Sequence, residues 1–254
     1  MSLLRRPIET YGPHPVAAAP GTHARIAELV SRHVDIAGRI LDLGAYTGAL
    51  IARLRDAGYL RLSGADLSRH IAEEVDAFWE CDFNGAFADE IGGPPFACIT
   101  ASEVIEHLDN PRAFLRQCHQ LLAPGGALVI STPNIQFFEA RIKFALTGEL
   151  WGFGERSYRS QRHISPILAS HLPMMLAECG FECREILTGA SFASPLRRLL
   201  TLPIWGAMRL LMGSMVMGET LFVVATAMEQ GEAATPAGQS AWQAGDNAAR
   251  QGED

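Results

Sequence analysis

Apolar and polar positions change period several times along the chain, and each change predicts an element. From about Thr22, the residues Ile26, Leu29, Val30 and Val34 recur at helical spacing and define one face of an amphipathic helix. Arg39–Leu43 reads as a short apolar strand with Asp42 near its end, Thr47–Asp56 as a helix closed by Gly58, and Leu62–Asp66 as a second strand. Phe78–Cys81 is a third strand. Phe96–Ala101 is a continuous apolar run of the kind covered on both faces. At Asn110-Pro111 a capping side chain precedes a proline, which predicts a helix start; Phe114, Leu115, Cys118, Leu121 and Leu122 share one face after it. The turn Pro124-Gly125-Gly126 leads into a fifth strand, Ala127–Ser131. Strand and helix alternate throughout, so the pattern predicts a parallel sheet with helices on both faces.

After Pro133 the order loosens. Ile135–Leu146 reads as an amphipathic helix and Gly148–Arg162 as a loop. A further helix is expected from Ser165-Pro166, kinked at Pro173 and ending at Gly180. Phe181–Leu187 and Thr220–Ala227 are the last strands. Between them, Leu196–Met217 is apolar, and its only charges are Arg197, Arg198 and Arg209. Such a basic, Trp-bearing stretch suits a membrane surface or a lipid-linked ligand, and equally a helix pair packed on the sheet or in a homodimer. Residues 1–20, rich in Pro, Gly and Ala, are expected as a flexible arm before one domain spanning 21–228. Residues 229–254 are expected as a disordered acidic tail.

Composition narrows the class. A chain of 254 residues suits one α/β domain, and 48% hydrophobic with 19% charged residues excludes wholesale disorder. The net charge is −7. The tail holds five acids against one base, Arg250, so it carries four of those charges. The near-neutral body argues against a nucleic-acid partner. Five scattered cysteines without a C-x-x-C pair imply no disulfide framework. With no apolar signal segment in residues 1–19, a reducing cytoplasm is the expected compartment.

Candidate chemistry concentrates at strand ends. In Leu41-Asp42-Leu43-Gly44-Ala45-Tyr46-Thr47-Gly48, glycines bracket the turn from a strand into a helix, where backbone can approach a ligand closely. The dinucleotide pattern G-x-G-x-x-G is absent, as is a P-loop lysine. Asp66 ends the second strand, where a carboxylate can accept both hydroxyls of a ribose. Asp82 ends the third and is followed by Phe83, an acceptor for an amino group beside a ring surface. Three acids at successive strand ends, Asp42, Asp66 and Asp82, with the glycine turn at the first, would bracket one adenosyl ligand.

Further motifs follow in order: Ala101-Ser102-Glu103-Val104-Ile105-Glu106-His107-Leu108, Leu121-Leu122-Ala123-Pro124-Gly125-Gly126 and Ser131-Thr132-Pro133-Asn134. Over roughly residues 22–190 the chain resembles the class I S-adenosylmethionine-dependent methyltransferases, in the small-molecule branch of ubiquinone-type and glycan-biosynthesis-associated O-methyltransferases. The resemblance implies a doubly wound, seven-stranded, mostly parallel sheet and S-adenosyl-L-methionine as cofactor. It implies that Gly44 and Gly48, with Asp42, Ala45 and Tyr46, hold the methionyl part. Asp66, with Leu67, would take the ribose, Asp82 with Phe83 the adenine, and Ser102 and Glu103 would face the sulfonium. Tyr46 stands where the family usually has a middle glycine, and a catalytically inactive methyltransferase-like binding protein is the rival that this departure supports.

Methyl transfer from a cationic sulfur needs no metal, only alignment and removal of the acceptor's proton. His107 and His163 are the candidate bases, with His163 favoured because it lies in the substrate-facing region that the resemblance implies. Arg156, Tyr158, Arg159, Arg162 and His163 form a basic, aromatic cluster suited to an anionic acceptor. The resemblance of Thr132–Leu146 to glycan-linked members makes a sugar or lipid-linked saccharide the first acceptor expected, and a quinone-like aromatic the second.

Overall fold

A computed structural model of the protein describes residues 9–190, residues 202, 203, 206, 207 and 210, and residues 217–229. The apolar stretch at 196–217 therefore lies almost wholly outside the described residues, as does the tail from residue 230. The described chain opens with a hairpin of β1 (Thr10–Tyr11) and β2 (His14–Pro15), part of the segment expected as a flexible arm. Specific contacts dock it on the domain. The Tyr11 hydroxyl donates to Asp56 at 2.6 Å, the Arg53 guanidinium lies over the Tyr11 ring, and Thr47 Oγ1 donates to the Pro15 carbonyl at 2.8 Å. Val16 and Ala19 are buried.

Helix α1 (Thr22–His33) then leads into β3 (Ile40–Leu43), α2 (Ala49–Asp56), β4 (Leu62–Asp66), β5 (Phe78–Glu80), α3 (Phe87–Ile91) and β6 (Phe96–Ser102). A single 3₁₀ turn at Ile105–His107 precedes α4 (Pro111–Leu121). The chain continues through β7 (Leu122–Pro133), α5 (Phe138–Thr147), α6 (Glu155–Gln161), α7 (Leu172–Glu178), β8 (Phe181–Gly189) and β9 (Thr220–Ala227). Seven strands form one sheet in the order β5-β4-β3-β6-β7-β9-β8. The first five are parallel neighbours, and β9 is antiparallel to both β7 and β8. This is the doubly wound, mostly parallel sheet expected from the alternating pattern.

The strand period of two splits the core between the two faces. Leu41, Leu43, Ile99, Leu128 and Ile130 pack with α3, α4 and α7. Ile40, Cys98 and Val129 pack with α1 and α2, to which Ile26, Leu29, Val30, Leu50, Ile51 and Leu54 contribute. The start of α4 is as predicted: Asn110 Oδ1 accepts from the Ala113 N–H at 3.1 Å, and Pro111 lies in the first turn.

Three expectations change. The fifth strand begins at Leu122 rather than Ala127, because a register irregularity opposite Phe96–Cys98 absorbs the turn at Gly125, whose φ is +76°. The loop expected at 148–162 contains α6. The helix expected from Ser165 starts instead at Leu172, with Pro173 in its first turn, where its missing N–H costs nothing. Residues 164 and 165 are diverted: both N–H groups donate to the Glu106 carbonyl at 2.9 Å.

Candidate active site

Register brings the carboxyl ends of the parallel strands to one edge. Leu43 pairs with Ala65 on one side and Ala101 on the other, and Ser102 pairs with Ser131. Strands β4 and β5 lie on one side of β3, and β6 and β7 on the other, so the winding reverses between β3 and β6. A crevice opens at such a reversal. Here it is a cleft of about 1170 Å³, and Gly44, Tyr46, Asp66, Leu67, Asp82, Phe83, Ser102, Glu103, His107 and His163 all line it.

Three expected cofactor residues do not line the cleft. Ala45 is buried in the core. Gly48 caps the N-terminus of α2 with φ +88°; a Cβ there would meet Ile71 Cγ1 at 2.8 Å. Asp42 is buried and accepts from Thr100 Oγ1 at 2.7 Å. Burial pushes its carboxyl up to about 7, with the nearby Asp66 charge adding to the effect and the Thr100 bond opposing it. Asp42 and Gly48 thus shape the turn from below.

The turn itself is built on backbone. Gly44 has φ +79°, and a Cβ there would meet Val104 Cγ2 at 2.6 Å. Tyr46 is also left-handed, at φ +45°, which explains why a glycine serves well at that position. The residue is 45% exposed. The Asp66 carboxylate ties the turn to β4, accepting from the Tyr46 N–H at 2.8 Å and the Leu67 N–H at 2.7 Å. Each oxygen keeps a further acceptor site for a ligand hydroxyl. Asp82 Oδ1 accepts from the Asn84 N–H at 2.9 Å. A closely fitted glycine turn, two strand-end carboxylates and Phe83 fit an adenosyl cofactor.

The other side of the cleft is made from side chains. Glu103 has φ +55°, and Ser131 Oγ donates to its Oε1 at 2.9 Å. Glu106 is fully buried, with Thr132 Oγ1 donating to Oε2 at 3.1 Å and Oε1 without a hydrogen-bond partner. Burial pushes both carboxyls up; the Glu103 charge raises Glu106 further, and the hydroxyl donors pull the other way. The His107 and His163 rings meet edge to face at 4.8 Å. His163 Nδ1 lies 2.9 Å from the Gly152 carbonyl. A carbonyl only accepts, so Nδ1 carries the proton and Nε2 of the neutral ring keeps its lone pair. Burial lowers the basicity of both rings, and the His107 charge lowers that of His163 further. Glu106, His107 and His163 also bring one ligand atom each to within 4.8 Å of one another, a set able to hold a divalent cation.

Sequence reasoning passed over several lining residues, among them Ala17, Ala18, Ala19, Asn84, Lys143, Trp151, Ser157 and Gln161. Ser157 and Gln161 are four apart, and that spacing was the available signal once α6 is read as a helix.

The fold and site define a class I S-adenosylmethionine-dependent methyltransferase. Residues 19–186 match the family described as Methyltransferase domain, and the chain belongs to it. It is 29% identical over 185 residues to the ubiquinone biosynthesis O-methyltransferase of Aromatoleum aromaticum, covering 68% of this chain and 76% of that one. Two further relatives so described, from Caulobacter and Xanthomonas oryzae, match over 41% and 48% of their own length. Among solved structures, an Archaeoglobus fulgidus SAM-dependent methyltransferase superposes with a TM-score of 0.53 at 17% identity, covering 80% of this chain and 94% of that one. Phosphoethanolamine N-methyltransferase 2 of Haemonchus contortus, in complex with S-adenosyl-L-methionine, gives 0.55 at 16%, covering 83% of this chain and 54% of that one. The two structures share the fold. No helix among the described residues is long and apolar enough to cross a membrane.

Proposed function

We propose that the enzyme methylates a hydroxyl oxygen of a small acceptor, with His163 taking the proton. S-adenosyl-L-methionine, when bound, supplies a methyl group on a cationic sulfur for in-line displacement. Asp66 would hold its ribose hydroxyls, Asp82 and Phe83 its adenine, and the Gly44 turn its methionyl part. The observation that carries the reading is the His163–Gly152 bond, which leaves Nε2 as the free acceptor in a ring that lines the cleft. Because burial lowers its basicity, His163 stays neutral and competent below the ordinary histidine range. The rate should therefore hold as pH falls to 6.5 and decline only below it. A plateau that instead collapses at alkaline pH would assign the proton transfer to another group.

The acceptor has two forms in view. A saccharide hydroxyl is supported by the sequence after β7, and a quinone-like aromatic by the name carried by the relatives. Incubating the enzyme with cofactor and each acceptor class, and weighing the products by mass spectrometry, decides between them.

A second reading is favoured by the unpartnered Glu106 Oε1, 3.9 Å from His107 Nε2. In it, Glu106, His107 and His163 hold a divalent cation that acidifies the acceptor hydroxyl. Activity lost to a chelator and restored by added Mg²⁺ or Zn²⁺ would establish this second reading. Activity indifferent to chelation leaves His163 as the base.

A further inference from the structure

We infer that α6 recognises a phosphoryl group on the acceptor, held between Arg156 and Arg162; the inference rests on the methyl-transfer reading above and names its substrate class. The helix lies along the acceptor side of the cleft. Arg156, Ser157, Gln161 and Arg162 line the cleft, whereas Tyr158, Arg159 and Ser160 do not. Ser157 and Gln161 therefore form the inward face, with one arginine at each end.

The basic side chains here fall into two kinds. Lys143 is paired with Glu149 at 3.2 Å, and Arg159 with Glu155 at 2.9 Å. Arg156 and Arg162 have no acidic partner among the described residues, although Glu149 and Glu155 line the same cleft. Those two acids are committed to the other two bases. Arg162 sits at the C-terminal cap of α6 in a left-handed conformation, φ +57°. Its charge reaches His107 and opposes protonation of that ring. One unpaired guanidinium therefore stands beside the two histidines, and the second stands a helix length away.

The donor set selects the ligand. Guanidinium forks bind phosphate and carboxylate oxygens in pairs, and a charge-assisted bond is about twice as strong as a neutral one. Two forks from opposite ends of the helix, with a hydroxyl and an amide between them, would approach a shared ligand from several directions. A tetrahedral phosphoryl group offers oxygens in those directions; a planar carboxylate offers two oxygens in one plane.

The test is calorimetry on the full chain saturated with S-adenosylhomocysteine, at low salt, titrated with inorganic pyrophosphate, phosphate and acetate. Pyrophosphate should bind saturably. The Arg156→Gln, Arg162→Gln double variant should bind it at least about tenfold more weakly, with S-adenosylhomocysteine affinity unchanged within about twofold. The Arg159→Gln variant, altered on the outward face, should behave as the wild type. No saturable pyrophosphate binding, or equal binding by the double variant, overturns the inference. Acetate binding as tightly as the phosphates overturns the phosphoryl assignment in favour of a carboxylate. A wild-type protein that fails to bind S-adenosylhomocysteine overturns the methyl-transfer reading and this inference together. S-adenosylhomocysteine binding without anion binding overturns this inference alone.

Discussion

The two sides of the cleft are built differently. The proposed cofactor side comes from one stretch, Leu41–Phe83, around a backbone turn with three left-handed residues, Gly44, Tyr46 and Gly48, tied to β4 by Asp66. The proposed acceptor side draws side chains from four separated segments, at 104–109, 133, 143–163 and 219–220. Its histidine pair exists because Ile164 and Ser165 donate to the Glu106 carbonyl and Ser165 Oγ donates to the Leu108 carbonyl at 2.6 Å. A backbone-built side tolerates an unusual side chain such as Tyr46. A side built from side chains can change its ligand by changing a loop.

If that division holds, damage to one side should spare the other. The largest effect is expected from His163→Ala, which should lower kcat by about 10²–10⁴-fold while the dissociation constant for S-adenosyl-L-methionine stays within about twofold. Steady-state kinetics beside calorimetry check this, and a parallel loss of cofactor affinity would break the division.

Acid should act next, through the body under the N-terminal hairpin. His23 is buried in α1, its Nδ1 has no partner, and burial first, then the Arg53 charge, lowers its pKa to about 4. Folding thus favours the neutral ring. That contribution is complete above about pH 6.5 and is lost as pH falls towards 4, amounting in full to about 3 kcal/mol. Urea unfolding at neutral pH and at pH 5, with His23→Gln for comparison, should show the variant losing less stability on acidification.

Asp66→Ala breaks the other side. Losing an acceptor of two ribose hydroxyls should weaken cofactor binding by about 10- to 100-fold, or 1.5–3 kcal/mol, with turnover of the saturated enzyme nearly intact. Calorimetry showing unchanged affinity in a folded variant would remove Asp66 from the site. The smallest effect sharpens the picture as a control: Asn110→Ala deletes the cap of α4, outside both sides. It should cost about 1 kcal/mol in thermal or urea unfolding and leave kinetics unmoved.

The cofactor side was legible because each of its signals is local. A glycine pair at a strand end, then an acid at each of the next two strand ends, needs only the strand assignments to line up. The acceptor side was legible only in part. His107 and His163 stand far apart in the chain, and their contact depends on the diverted segment after α6. Helix α6 buries none of its seven residues, so it carries no apolar stripe and reads as loop. The hairpin at 10–15 escaped for a similar reason, since its strands are two residues each and its hold on α2 comes from single polar contacts.

By itself the sequence determined the alternation of strands and helices, the cap at Asn110, and the family, because those follow from periodicity and short-range chemistry. Tertiary structure decided which acids open to the cleft and which, like Asp42, are buried beneath it, because burial depends on packing across β3 and β6. It also decided which arginines are free to bind a ligand. Pairing depends on where a distant carboxylate comes to rest, and no spacing along the chain records that.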